Sequence, residues 1–109
     1  MAYDETLAER IREVLRRRKG ITEQKMFGGL AFLRRGNMCC GVITKNLVLR
    51  LGKEGAAEAL IEAHTRPMDF TGRPMKTIIY VAPEGYASDE ALERRVGDAL
   101  KFASTLPAK

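Results

Sequence analysis

Three turn signals fall between Ile21 and Leu51: Phe27-Gly28-Gly29, Arg34-Arg35-Gly36-Asn37 and Thr44-Lys45-Asn46. The stretches around them, residues 22–26, 30–33, 38–43 and 47–51, have strand length and are too short for ordinary helices. Strands joined by connections this tight pair antiparallel, because a parallel crossover takes a dozen or more residues. The block therefore reads as an antiparallel meander, and a parallel sheet or an all-helical bundle is excluded. The paired glycines at 28 and 29 mark a bulge or tight bend, so one of them is expected in a backbone region closed to other residues. A tight Lys45-Asn46 turn would set Val42 opposite Leu49 and Cys40 opposite Leu51. Met38, Cys40 and Val42 then share the inner face with Leu47, Leu49 and Leu51, while Cys39, Gly41, Val48 and Arg50 take the other.

Helices flank the meander. Leu7, Ile11, Val14 and Leu15 recur at helical spacing, which predicts a first helix from Asp4 or Thr6 to Arg18. Thr6-Leu7-Ala8-Glu9 fits a capping box, and Gly20 supplies a left-handed stop. A short helix over 54–63, anchored by Leu60 and Ile61, follows the meander. An irregular segment over 64–75 carries Pro67, Gly72 and Pro74, with a possible short strand at Met68-Asp69-Phe70. It reads either as a binding loop or as apolar plugs beneath a sheet edge. Residues 77–81 form a β-branched strand. Ser88 caps a last helix whose apolar face is Leu92, Val96, Leu100 and Ala103, with Pro107 ending it. The expected order is α, three or four β, α, one or two β, α: an α+β two-layer design with helices on one face of an antiparallel sheet.

At 109 residues the chain suits one domain spanning 1–109, with a single core. No apolar run approaches a membrane span, and the opening Met-Ala-Tyr-Asp-Glu carries acids where a signal peptide carries bases. A cytosolic protein without membrane contact is expected. Cys39 and Cys40 are neighbours and cannot staple distant elements; reduced thiols are the expected state.

Charge is uneven. Lys and Arg exceed Asp and Glu by 19 to 14, yet residues 26–53 hold five bases (Arg34, Arg35, Lys45, Arg50 and Lys53) and no acid. A second knot is Arg16, Arg17, Arg18 and Lys19. Either set follows phosphates or an acidic partner, or else forms a solvated face; the knot also neutralises the carbonyl end of its own helix. Cys39 is a candidate reactive thiol if the outer face is solvated near Arg50 or Arg35, and otherwise a small apolar residue under cover.

Catalytic signatures are missing from the sequence. There is no glycine-rich phosphate loop, no four-ligand zinc set, and no nucleophile elbow to accompany the single histidine, His64, which reads as a helix cap or surface residue. No cofactor is expected.

Three blocks together resemble the N-terminal domain of the TfoX/Sxy family, bacterial proteins associated with regulating competence for DNA uptake. They are Met26-Phe27-Gly28-Gly29; Gly36-Asn37-Met38 through Val42 with Leu47-Val48-Leu49-Arg50; and Met68-Asp69-Phe70, Gly72-Arg73-Pro74-Met75 and Tyr80-Val81-Ala82-Pro83-Glu84 before a closing helix. The resemblance implies a secretion-chaperone-like α+β fold and carries over no catalytic or ligand residue. Cys39-Cys40 replaces the Phe-containing pair often found after that methionine. The family's competence regulators also carry a helical C-terminal domain, which these 109 residues do not include. The implied function is a non-enzymatic regulatory or interaction module with an unidentified protein partner in the transcription machinery. Weak direct nucleic-acid binding, through Arg34, Arg35, Lys45, Arg50 and the 16–19 knot, is the alternative. A small redox or ligand-binding protein using Cys39 is the third.

Overall fold

All three turn signals close hairpins. In the computed structural model, which describes residues 3–26, 28–68 and 76–107, the meander is β1 (Ile21–Met26), β2 (Gly29–Arg34), β3 (Asn37–Ile43) and β4 (Asn46–Arg50). Two later strands, β5 (Thr65–Pro67) and β6 (Ile78–Val81), complete a six-stranded antiparallel sheet of order β1-β2-β3-β4-β6-β5. The helices are α1 (Glu5–Leu15), α2 (Gly52–Ala59) and α3 (Asp89–Ala103). The architecture is the expected α+β one.

Gly28 supplies the positive φ, +74°. Gly29 is required for a different reason: a Cβ there would lie 2.1 Å from the Val42 carbonyl oxygen. At the β2–β3 turn, Arg35 and Gly36 both have positive φ, 50° and 86°, the backbone of a two-residue hairpin turn that matches strand twist.

The β3–β4 register differs from expectation by two residues. Ile43 pairs with Asn46, Val42 with Leu47 and Cys40 with Leu49, so the turn residues are Thr44 and Lys45, Thr44 with φ +52°. A two-residue slip preserves the faces, and Cys40, Val42, Leu47 and Leu49 do share the main core. Two placements change, and both come from a bulge. Phe32 pairs with Cys40 but Leu33 pairs with Met38, leaving Cys39 as the extra residue of β3. Cys39 therefore joins Cys40 on the helix side, while Met38 moves to the opposite face with Ala31, Val48, Ile78 and Tyr80.

The helix side holds the larger core. Leu7, Ile11 and Leu15 of α1 and Leu92, Val96 and Leu100 of α3 pack on Phe32, Val42, Leu47, Leu49, Ile79 and Val81. Asp4, rather than Thr6, is the cap of α1: its carboxylate accepts from the Thr6 and Leu7 N–H groups. That helix stops at Leu15, before the basic knot. Ser88 caps α3 as expected, by accepting from the Ala91 N–H, but the helix ends at Ala103, short of Pro107. The second helix starts and stops earlier than its alanines imply. Leu60 follows its last turn, and Ile61 is 86% exposed rather than an anchor. Met68 is fully buried beside β5, while Asp69, Phe70 and the rest of 69–75 lie outside the described residues.

Both long helices run the same way across the sheet. The Asp4 N–H donates to the Thr44 carbonyl at 2.7 Å, and the Tyr86 hydroxyl to the Lys45 carbonyl at 2.6 Å. Both helix starts are thereby tied to the β3–β4 turn. At the other end the Arg35 N–H donates to the Gly20 carbonyl at 2.8 Å, and the buried Asn37 amide to the Pro107 carbonyl at 2.7 Å. Both helix ends are thereby tied to the β2–β3 turn.

Candidate functional site

Tying the helix ends to the β2–β3 turn joins two basic clusters far apart in sequence. After α1, Gly20 has φ +78° and turns the chain into β1, whose first residue, Ile21, pairs with Arg34. The stem of Arg35 lies against Gly20, where a Cβ would meet its Cγ at 3.0 Å. Arg16, Arg17, Arg18 and Lys19 therefore stand beside Arg34 and Arg35 at one end of the molecule, a basic pole. All but the half-buried Arg34 are exposed.

Arg16 is paired with Glu13 at 3.3 Å. Among the described residues, Arg17, Arg18, Lys19, Arg34 and Arg35 make no ion pair. The carbonyl ends of α1 and α3 offset part of this charge. A groove of about 610 Å³ between α1 and α3 opens at the pole, lined by Glu13, Val14, Arg16, Arg17, Arg18 and Glu93.

The other two sequence-predicted basic residues, Lys45 and Arg50, are placed differently from each other. Lys45 sits in the β3–β4 turn, at the opposite end of the sheet. Arg50 ends β4 at the same end of the sheet as the β2–β3 turn, with β3 between it and β2, and its guanidinium lies over the Phe102 ring, 5.8 Å from the centroid. Nearness along the chain misleads for Lys45, because a strand carries residues a few positions apart to opposite ends of a sheet.

Cys39 is fully buried, on the side away from a solvated outer face. Both cysteines are free. Contact with Cys39, reinforced by burial, pushes the Cys40 thiol well up, so the thiolate is disfavoured there. This is the environment of an inert core thiol. His64 is exposed, has φ +67°, and uses its carbonyl to accept from the Ala82 N–H.

The opposite end of the sheet carries polar residues that sequence reasoning passed over. Arg10 donates to the Tyr86 and Ala87 carbonyls, each at 3.1 Å, and pairs with Asp89 at 3.3 Å. Arg95 is 5% exposed; its Nε donates to the Gly85 carbonyl at 2.9 Å, and it reaches Glu62 at 3.4 Å. Arg94 holds the same carboxylate at 2.8 Å and is the main cause of its lowered pKa. A signal was available for Arg95: it falls on the apolar stripe Leu92, Arg95, Val96, Ala99, where a base is buried only if paired.

Among the described residues no three His, Cys, Asp or Glu side chains gather as a metal site, and no helix is long and apolar enough to cross a membrane. No curated protein matches the sequence. The family model of the TfoX N-terminal domain matches residues 13–103, from the second half of α1 to the end of α3, and the chain belongs to that family.

Proposed function

We propose that this TfoX N-terminal domain is a non-enzymatic regulatory module that docks an acidic surface of a protein partner in the transcription machinery. The observation that carries the reading is the basic pole, five cations drawn from two distant segments that make no ion pair among the described residues. Leaving like charges together costs self-repulsion, and an acidic partner removes that cost on binding. A protein surface suits the pole better than a nucleic-acid groove. The hairpin tip is pinned to Gly20 through the Arg35 N–H rather than projecting, and both long helices lie with their sides on the sheet.

The test is capture from a nuclease-treated lysate, comparing the native chain with Arg17→Ala/Arg18→Ala/Arg34→Ala/Arg35→Ala. A protein retained after nuclease treatment and lost with the variant supports the reading; equal capture by both chains contradicts it. The second reading, weak nucleic-acid binding, rests on the same unpaired cations. It predicts a duplex-DNA affinity whose salt slope falls by about 0.9 for each phosphate contact removed. Tight, sequence-selective DNA binding abolished by Arg34→Ala/Arg35→Ala would promote it above the first.

A further inference from the structure

The two edges of the sheet are finished differently. The edge strand β5 is three residues long and ends in Pro67, which has no N–H to offer a further strand. At the other edge, β1 is six residues long, contains no proline, and among the described residues pairs only with β2. Thr22, Glu23, Gln24 and Lys25 are all exposed. An antiparallel strand of this kind turns the N–H and C=O groups of alternate residues outward, where an added strand can take them up.

We infer that β1 is a self-association surface on which a second copy of this chain adds its own β1 antiparallel, with Gln24 opposite Gln24. The register follows from charge and hydrogen-bond parity. In a two-fold arrangement the outward groups of both strands come from the same alternate set, so allowed registers differ in steps of one residue pair. With Gln24 on the axis, Glu23 of each copy faces Lys25 of the other, giving two opposite-charge pairs. The neighbouring register on one side sets Glu23 against Glu23, and that on the other sets Lys25 against Lys25; each opposes like charges.

The structure prepares both members of the pair. Arg12 holds the Glu23 carboxylate with Nε and a terminal nitrogen, both at 2.8 Å, fixing that side chain while leaving oxygen lone pairs for a further donor. Lys25 makes no ion pair among the described residues and is available to the facing carboxylate. The surface lies along the sheet edge, and this inference does not depend on the basic pole's acting as a docking site.

Sedimentation velocity over a dilution series tests the assignment. The native chain is expected to shift from monomer to dimer with rising concentration. Glu23→Lys and Lys25→Glu, each alone, set like charges opposite twice and should weaken the dimer by about tenfold or more. An equimolar mixture of the two variants should recover it, because Lys at 23 then faces Glu at 25, and Lys25 faces Glu23. Lys25→Glu leaves the Arg12 bridge to Glu23 in place, so its result stands even if Glu23→Lys folds poorly. Gln24→Cys supplies a second readout. It should give a disulfide-linked dimer with oxidised glutathione, while Thr22→Cys, offset along the pairing, should not. A native chain that stays monomeric throughout would overturn the inference. So would a dimer indifferent to Lys25→Glu, or equal cross-linking at positions 22 and 24.

Discussion

At the β3–β4 end of the sheet Arg10 donates to two carbonyls and a carboxylate, Arg95 is buried against Gly85 and Glu62, and the Tyr86 hydroxyl closes on Lys45. At the β2–β3 end Arg17, Arg18, Lys19, Arg34 and Arg35 make no ion pair among the described residues, and the end is held by two other hydrogen bonds, from the Arg35 N–H and the Asn37 amide. One residue type serves both ends with opposite results. Arginine clamps loops where carbonyls and carboxylates surround it, and stands as uncompensated charge where they do not. The first arrangement contributes to stability. The second contributes little and leaves the charge for a partner.

Substitutions at the clamped end should therefore lower the stability of the chain, and the largest effect is expected at Gly29. Its added Cβ would overlap the Val42 carbonyl, a backbone atom that cannot step aside. Gly29→Ala should lower the free energy of unfolding in urea by about 2–3 kcal/mol. Gly28→Ala meets open space and carries only the positive-φ cost, about 1 kcal/mol. Equal losses at the two positions would contradict the separate reasons given for the two glycines.

Tyr86→Phe removes the bond to the Lys45 carbonyl while keeping the ring, which is 5% exposed together with its residue. A loss of about 1 kcal/mol is expected. Burial also raises the Tyr86 pKa, so the folded chain holds that proton more firmly than the unfolded one. Native stability should therefore decline above about pH 10, the usual phenol value, and Tyr86→Phe should flatten that decline.

A smaller effect is expected at Glu62, whose carboxyl Arg94 chiefly holds below its usual value, with Arg95 assisting. A depressed folded pKa means stability present above the unfolded value, about 4.3, and lost as pH falls through the folded one. Glu62→Gln should flatten the acid limb of the urea midpoint against pH. Because this side chain is 42% exposed, solvent screening keeps the loss at neutral pH modest.

The smallest stability effect belongs to the other end. Alanine at Arg17, Arg18, Arg34 and Arg35 together should leave the urea midpoint nearly unchanged, with each substitution worth within about 0.5 kcal/mol. A large loss would show that these side chains hold the fold, and would erase the contrast between the ends.

Much of this contrast was hidden in the sequence for definable reasons. Local signals were legible: the stripe of Leu7, Ile11 and Leu15, the Ser88 cap, the turns at Gly28 and Gly36, and the alternation that places Val42 and Leu47 inside. The bulge at Cys39 was not, because it is set by the unequal pairing of Leu33 and Phe32 with β3 and has no glycine to mark it. The pole was half legible. Both clusters stood out by charge, but their meeting depends on a hydrogen bond between turns 15 residues apart, from the Arg35 N–H to the Gly20 carbonyl. Lys45 counted with Arg34 and Arg35 by proximity, until β3 carried it to the opposite end of the sheet, whereas the β3–β4 hairpin returns Arg50 to their end.

Backbone amide chemical shifts of the nitrogen-15-labelled chain, followed while the captured partner is added, test the role of the pole most directly. The account predicts that the shifts moved first and furthest belong to residues 16–20 and 34–36, and that added salt reverses them. Shifts confined to other surfaces, with residues 16–20 and 34–36 unmoved, would contradict it.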